Sequence, residues 1–365
     1  MQQLFFVKKN KLEWRETKPP VIENGTEAIV RPFAVAKCDL DDFYLFDTIV
    51  PKLKLGKLLG LVDPKFVSVF AKMFTGPFPF GHECVAEVIE TGDKVRHIKV
   101  GDVVSVPFQL SCGTCTHCQK GITSACMGFP AISTYGFGKY LQFGGAMSDL
   151  LKVPYADAML LKIPDHIDPI HLASLSDNVP DAYRAVGTYL EEDANKSVLI
   201  IGGRPRSIGL YCVLIAAAMG APEITFVDAF HNDLDIARKL GAQQVYTNIK
   251  DVKGTYDIVV EASSSRKNLA EAVIKSKPYG LVASVGLYPL ITTMPLVDMY
   301  TKGIHYKTGL TNARTEAEKV LALIEHVKLD LKAVTSKHEN WDNAIDAFLS
   351  RSSKVIVSRN RLISR

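Results

Sequence analysis

The second half of the chain alternates short β-type runs with helical segments, and this alternation limits the possible folds more than any other feature of the sequence. It begins at about residue 196 and predicts strands at 197–201, 223–227, 256–260 and 280–285, with helices at 208–219 and 234–240. Strands that alternate with helices form a parallel sheet with helices packed on its faces. The sequence therefore predicts the α/β class, with a doubly wound parallel sheet in this half.

The first half of the chain follows a different pattern. From residue 22 to 157 the apolar runs are short and bounded by Gly or Pro, as in Val85–Ile89, which predicts a mostly-β region. A chain of 365 residues is long enough for two domains with a cleft between them. We expect residues 1–157, completed by 306–365, to form the mostly-β domain and residues 158–305 to form the parallel-sheet domain.

Composition and charge argue against two classes of partner. Lys plus Arg number 43 and Asp plus Glu number 39, so the net charge is only +4 and no basic surface for nucleic acid is expected. The long apolar stretch Val198–Ala221 is interrupted by Arg204, Pro205 and Arg206, so it is not expected to span a membrane. Residues 1–14 lack the apolar segment and small-residue cleavage site of a secretory signal. We therefore expect a cytoplasmic protein.

Four of the seven cysteines lie in one short segment with the spacing C-x2-C-x2-C-x7-C, formed by Cys112, Cys115, Cys118 and Cys126. We call residues 112–126 the cysteine lobe. In a reducing compartment such clustering favours a metal over disulfides. Four thiolates complete a tetrahedral zinc site and leave no position open, so the expected role is structural. An iron–sulfur cluster or unrelated thiols are the alternatives.

Three further motifs carry a family resemblance. Cys38 lies in CDLD, His82 lies in GHE, and Asp177 lies in SDNVPDAY, six residues before Tyr183. Together with the cysteine lobe they resemble the zinc-containing alcohol dehydrogenases of the medium-chain dehydrogenase/reductase superfamily. The Asp in the third motif and the string VPYADAMLLKIPD look most like the formaldehyde-dehydrogenase branch. The resemblance implies a GroES-like, mostly-β catalytic domain and a Rossmann dinucleotide-binding domain.

The resemblance assigns Cys38, His82 and Asp177 to a catalytic zinc ion, which makes two zinc ions per chain. A thiolate, an imidazole and a carboxylate leave a fourth coordination position open for substrate. Zinc lowers the pKa of bound water from about 15.7 to about 7, and an alcohol should respond likewise and then expel hydride. Asp41 matches a carboxylate that accepts a hydrogen bond from the ligating His, and Glu83 matches a residue beside the metal. The expected activity is hydride transfer between an alcohol or aldehyde and NAD(H).

The sequence also departs from the family pattern. Leu40 and Phe43 replace residues that commonly relay the alcohol proton to solvent, and Asp181 and Ala182 replace a Thr-Gly pair before Tyr183. These changes motivate an alternative, in which the chain is a catalytically inactive zinc- and nucleotide-binding protein of the same fold. Retention of all three ligands argues against it, because an inactive protein has no need for an open zinc site.

The turn after the strand at 198–201 reads GGRPRSIG and leads into a helix, which is the context of a dinucleotide-binding loop. It is about two residues longer than the standard fingerprint. Asp228 ends the next strand, where a carboxylate accepts the ribose 2′-OH of NAD and repels the 2′-phosphate of NADP. Arg204 and Arg206 either reach the pyrophosphate or a 2′-phosphate, or lie in a solvated loop. We expect NAD rather than NADP, with contacts from Gly202, Gly203, Arg204, Arg206, Ser207, Ile208, Gly209 and Asp228.

Residues 50–74, which we call the insertion, are additional to the usual family pattern and contain a predicted helix that begins with Asp63 and Pro64. Its apolar stripe is formed by Phe66, Val67, Phe70, Met73 and Phe74. Three roles remain open: a lid over the substrate mouth, packing against a neighbouring element or subunit, and contact with a membrane surface or acyl chain. A lid predicts bulky apolar substrates.

The expected assembly is a homodimer or homotetramer.

Overall fold

The computed structural model describes residues 1–138, 143–288, 290–327 and 329–362. Its strands are β1 (Gln2–Lys8), β2 (Lys11–Glu16), β3 (Ala28–Ala36), β4 (Phe78–Pro79), β5 (Glu83–Thr91), β6 (Val103–Val106), β7 (Leu151–Val153), β8 (Leu161–Lys162), β9 (Val198–Ile201), β10 (Ile224–Val227), β11 (Gln244–Tyr246), β12 (Tyr256–Glu261), β13 (Ser276–Ser284), β14 (His305–Thr308), β15 (Lys337–Asn340) and β16 (Val355–Ser358). Its helices are α1 (Asp41–Leu45), α2 (Ile49–Leu58), α3 (Pro64–Met73), α4 (Thr116–Gln119), α5 (Ala156–Met159), α6 (Asn178–Ala182), α7 (Thr188–Glu192), α8 (Arg206–Ala218), α9 (His231–Leu240), α10 (Arg266–Lys275), α11 (Leu296–Lys302), α12 (Ala313–Val327) and α13 (Ala344–Phe348).

The mostly-β part is organised around a sheet with the order β15-β16-β3-β5-β6-β8, in which β7 also pairs with β3. Successive residues of β3 face different cores, since Ala34 and Ala36 lie in one and Val35 lies in the other. β3 and β5 are antiparallel, and Ala36 pairs with Glu83. The segment after β3 and the segment before β5 therefore leave the sheet at the same edge.

The second half forms the predicted parallel sheet, with the order β11-β10-β9-β12-β13-β14. All neighbouring strands in it are parallel. The chain starts at the centre with β9, moves outward to β11, and then crosses to β12 on the other side. A nucleotide site is expected where the strand order reverses, outside the carboxyl ends of the strands. This arrangement confirms the predicted α/β class and the dinucleotide-binding type of fold.

The C-terminal segment returns to the first sheet, because β16 pairs antiparallel with β3 and β15 pairs parallel with β16. β8 still belongs to this first sheet, and β14 still belongs to the parallel sheet. Sheet membership thus changes a few residues after positions 157 and 305. The division into domains at those two positions stays a prediction.

The segment from 41 to 73 contains three helices, of which the sequence predicted only the last, so the mostly-β region contains more helix than expected. The predicted start of α3 is confirmed, since the Asp63 side chain accepts a hydrogen bond from the Lys65 N–H at 2.7 Å and Pro64 is the first helical residue. The sequence did not indicate α2, because its leucines do not form one apolar stripe and Leu55 and Leu58 are exposed. Among the described residues, no helix has both the length and the apolar character that a membrane crossing requires.

Candidate metal and cofactor sites

Side chains from three distant parts of the sequence meet at the edge of the first sheet, and their potential ligand atoms all lie within 4.8 Å of one another. The group consists of Cys38, His82, Glu83 and Asp177. The Sγ of Cys38 is 3.1 Å from Oδ2 of Asp177, and Nε2 of His82 is 3.3 Å from the same oxygen. Pairing of β3 with β5 aligns the first three residues, and the turn before α6 adds Asp177. All four sequence-predicted residues are therefore brought together.

The chemistry of this cluster fits a bound zinc ion. Neither ring nitrogen of His82 has a hydrogen-bond partner in the described part of the chain, although both are buried. Burial lowers the pKa of His82, which favours the neutral imidazole that binds metals. Burial also raises the pKa of Cys38 well above its ordinary value and that of Asp177 to about 7. A divalent cation would reverse both shifts, because it neutralises the thiolate and the carboxylate.

Asp41 lies behind His82, on the side away from Asp177. Its Oδ1 is 3.8 Å from Nδ1 of His82, which is close but longer than a hydrogen bond. The same oxygen accepts a hydrogen bond from the Tyr44 hydroxyl, and Oδ2 accepts one from the Cys38 N–H at 3.0 Å. Asp41 thus lies beside His82 and positions the Cys38 backbone directly, while its hydrogen bond with His82 stays a prediction.

Lys354 is a residue of this site that the sequence analysis missed. Its Nζ donates to Oε2 of Glu83 at 2.7 Å and to the Lys37 carbonyl at 2.9 Å, and both charged side chains are fully buried. The other carboxylate oxygen of Glu83 has no partner among the residues described. Lys354 therefore neutralises Glu83 beside the cluster. A single Lys before the apolar strand β16 carries no sequence signal for this role, because its partner is 271 residues away.

The cysteine lobe forms the second cluster, with the sulfur atoms of Cys112, Cys115, Cys118 and Cys126 within 4.8 Å of one another. All four are free thiols. Backbone N–H groups point at the sulfurs, as in the bond from Gly128 to Cys126 at 3.3 Å. Donation from the Cys118 and Met127 N–H groups lowers the pKa of Cys115 to about 6. Such donors stabilise thiolates, which are the form that binds zinc.

The glycine loop lies directly against Asp228, the residue predicted to bind the ribose of the cofactor. Asp228 is buried at the end of β10, where Oδ1 accepts the Phe230 N–H at 2.8 Å and Oδ2 has no partner within the described ranges. A Cβ on Gly202 would lie 2.5 Å from that Oδ2, and Gly203 has a φ of +148°. Gly209 packs against Phe226 of β10. Small residues here let a ligand approach the backbone and the free carboxylate oxygen.

The other predicted cofactor contacts have different surroundings. Arg206 forms a bidentate ion pair with Asp233 at 2.7 and 2.8 Å, and its contact with the pyrophosphate stays a prediction. Arg204 is exposed on the loop. Ser207 and Ile208 lie in the first turn of α8, which begins at Arg206, two residues before the predicted start. Their N–H groups donate to the side chain of Asp39, which the sequence analysis did not single out.

The metal cluster opens into a cleft of about 350 Å³ that lies between the two sheets. Its apolar wall is formed by Leu40, Phe43, Phe70, Met73, Phe108, Ile132 and Phe137. The opposite wall includes Ile208 from the dinucleotide helix and residues 284–287 after β13. The cleft therefore joins the metal cluster to the glycine loop.

Comparisons with known proteins agree with this geometry. The model of the alcohol dehydrogenase GroES-like domain matches residues 25–165, and that of the zinc-binding dehydrogenase domain matches residues 207–326. A zinc-type alcohol dehydrogenase B from Aspergillus flavus is 27% identical over 296 residues, which cover 74% of this chain and 65% of that protein. The chain thus spans slightly less than two thirds of the length of this relative. An L-threonine 3-dehydrogenase from Aeromonas salmonicida is 28% identical over 77% of this chain and 82% of its own length.

Solved structures share the whole fold. The alcohol dehydrogenase TADH from Thermus sp. ATN1 superposes with a TM-score of 0.82 at 24% identity, covering 98% of this chain and 99% of that one. Galactitol-1-phosphate dehydrogenase from Escherichia coli superposes with a TM-score of 0.78 at 19% identity, covering 98% and 100%. A zinc-binding dehydrogenase from Sinorhizobium meliloti, solved with NADP, has a TM-score of 0.76 at 20% identity over 98% and 99% of the two chains.

Proposed function

This chain belongs to the zinc-dependent medium-chain dehydrogenase/reductase superfamily, and from that membership we propose that it transfers a hydride between an alcohol or aldehyde and NAD(H). The observation that carries the proposal is the buried cluster of Cys38, His82 and Asp177 at the inner end of the cleft. The cleft leads from these donors to the glycine loop, so a substrate and a nicotinamide have room to meet there.

Each part of the site has a role in this reaction. Zinc, when bound, supplies Lewis-acid chemistry that lowers the pKa of an alcohol, and NAD, when bound, accepts the hydride. Cys38, His82 and Asp177 would hold the zinc ion, while Lys354 balances the charge of Glu83 beside them. Leu40 and Phe43 give the cleft an apolar lining next to Cys38. The intact donor set argues against the inactive alternative, because a purely structural protein gains nothing from an open ligand set.

The function is tested by following NADH or NADPH formation with a panel of primary and secondary alcohols. We expect turnover that is lost when the catalytic zinc is removed by a chelator and returns when zinc is added. Protein that contains both metals and oxidises or reduces none of the alcohols and aldehydes with either cofactor would contradict the proposal.

We propose NAD as the preferred cofactor, on the support of Asp228. Its free carboxylate oxygen can accept the ribose 2′-OH, whereas a 2′-phosphate would meet a negative charge. Burial raises the pKa of Asp228 to about 6, so the carboxylate is ionised at pH 8. Arg206, the cation that would favour NADP, is paired with Asp233.

The substitution Asp228→Asn should raise the ratio of kcat/KM for NADP to that for NAD by about tenfold or more, because it removes the repulsion but keeps a hydrogen-bond acceptor. The kcat/KM values for NADP and for NAD are measured at pH 8, for the wild type and for the variant. Asp235→Asn is the control, since it removes an exposed carboxylate of α9 that pairs only with Arg238 among the contacts described. Equal or better use of NADP by the wild type would show that Arg204 or Arg206 controls the ribose pocket.

We further propose that the substrate is apolar and larger than ethanol. The insertion supplies Phe70 and Met73 to the wall of the cleft. It also contacts the cofactor domain, because the Leu61 carbonyl accepts a hydrogen bond from the Ile291 N–H at 3.1 Å and Val62 bridges to Leu290. These contacts support the lid rather than the packing or membrane alternatives.

Lengthening a primary alcohol should raise kcat/KM about fourfold per methylene until the cleft is full, since each buried CH2 contributes about 0.8 kcal/mol. Phe70→Ala should flatten this dependence. Phe66→Ala is the matched control, because Phe66 stacks on Phe70 at 4.1 Å but does not line the cleft. Specificity that is flat or falling with chain length in the wild type would reject the lid.

For assembly we propose a homodimer formed through the parallel sheet. Its edge strand β14 is largely exposed, and the adjacent helix α11 carries Leu296, Val297 and Tyr300 with 68%, 77% and 89% of their surface exposed. Apolar side chains beside an open strand edge are typical of a subunit interface. A monomer in sedimentation at micromolar concentration would overturn this assignment.

The free cysteines fit the reducing environment of the cytoplasm, which is the location that we propose.

A further inference from the structure

The N-terminus of α8 is already occupied by a carboxylate from the catalytic domain. Asp39 accepts hydrogen bonds from the Ser207 N–H at 2.9 Å, the Ser207 hydroxyl at 2.6 Å and the Ile208 N–H at 3.2 Å. The Nδ2 of Asn178 donates to the same carboxylate oxygen at 3.3 Å and to the Ser207 hydroxyl at 2.8 Å. One side chain thus accepts two backbone N–H groups of this helix end together with the Ser207 hydroxyl.

A helix end in this position of the fold ordinarily faces the pyrophosphate of a dinucleotide. Its free N–H groups and the positive end of the helix dipole favour a negative group. At the expected ribose position, Asp228 keeps an oxygen beside Gly202 that has no partner among the described residues. The pyrophosphate position alone is filled from within the chain.

The two described cations whose charge reaches this carboxylate, Lys354 and Arg206, are each paired with another carboxylate. Arg206 is held by Asp233, and the exposed Arg204 has no contact with Asp39 among the described contacts. A pyrophosphate that approached α8 would therefore compete with Asp39 for the same donors and would be repelled by its charge. Asp39 borders the cleft, so it can move into the open space when it is displaced.

We propose that Asp39 is an internal substitute for the pyrophosphate, and that a dinucleotide binds only when it displaces this carboxylate from the N-terminus of α8. The proposal rests on the dinucleotide site of the proposed function and adds the residue that sets its affinity. It follows that Asp39 weakens every ligand that carries a pyrophosphate and leaves the adenosine part of the site unaffected. Because Asp39 directly follows Cys38, displacement also couples cofactor binding to a metal ligand.

The test is calorimetric titration of ADP-ribose and of adenosine into the metal-loaded wild type, Asp39→Asn and Asp39→Ser. Both variants remove the charge, and Asp39→Ser serves if the amide of Asn still occupies the donors. We expect ADP-ribose to bind at least tenfold more tightly to a neutral variant than to the wild type, with adenosine changed less than twofold. Asp235→Asn, which removes the same charge from an exposed pair, should behave like the wild type.

Three results would overturn the inference. Unchanged affinity for ADP-ribose, with a lower melting temperature, would show that Asp39 only ties the two domains together. An equal gain for adenosine would show that the substitution opens the whole pocket rather than the pyrophosphate position. These two results refute only the inference, whereas the third, no binding of ADP-ribose to any of the proteins, refutes the proposed function with it.

Discussion

Replacing Asp177 with asparagine should abolish turnover while the chain remains folded. Asn keeps the size of the side chain but removes the negative charge that a zinc ion needs between Cys38 and His82. Loss of a residue that hydrogen-bonds to a metal ligand lowers metal affinity or activity about 10–100-fold. Loss of a ligand itself should therefore lower kcat/KM by more than about a thousandfold. The measurement combines initial rates with zinc content by elemental analysis.

We expect two zinc ions per wild-type chain and one per Asp177→Asn chain, with the remaining ion in the cysteine lobe. The melting temperature of the variant should stay within a few degrees of the wild type, because the substitution leaves both apolar cores intact. Asp193→Asn, on an exposed turn, is the charge-matched control. A variant that keeps both ions and normal rates would remove Asp177 from the metal site.

Replacing Cys112 with serine should have the opposite effect. The protein should lose stability, and any loss of activity should result from unfolding rather than from a change at the catalytic site. Cys112 is buried, and its sulfur accepts the Cys115 N–H at 3.4 Å within the cluster of four thiols. A structural zinc ion contributes on the order of 10 kcal/mol of folding free energy, which is comparable to the whole stability of a typical domain. We expect the melting temperature to fall by more than about 10 °C, or the protein to be insoluble.

The lobe also supports the rest of the catalytic domain. Asn312, just before α12, accepts hydrogen bonds from Ser124 at 2.9 and 3.1 Å, and Thr315 donates to the Gly121 carbonyl at 2.9 Å. Unfolding of the lobe should therefore loosen the start of α12. Cys212→Ala is the control, because Cys212 is buried in the core away from both clusters. A stable Cys112→Ser protein that has lost only activity would show that the cysteine lobe is the catalytic site and not the structural one.

Local patterns were sufficient for features whose residues lie on one element or one loop. The cysteine spacing predicts a cluster because four thiols within fifteen residues cannot lie far apart. The alternating runs predict the parallel sheet because its central strands β9 and β10 are buried on both faces. The start of α3 was predictable for the same reason, since a cap bond joins neighbours in the sequence. The resemblance then supplied Cys38, His82 and Asp177, which no local pattern connects.

The sequence by itself determined which side chains are available and the order of the strands and helices that carry them. The tertiary structure decided which distant groups meet: Lys354 with Glu83, 271 residues apart, and Asp39 with Ser207, 168 residues apart. A spacing pattern reports only the periodicity of one element, whereas these contacts depend on how the two sheets pack and where their edges meet. Charge complementarity selects such partners after the chain has folded, so neither Lys354 nor Asp39 could be assigned from its neighbours in the sequence.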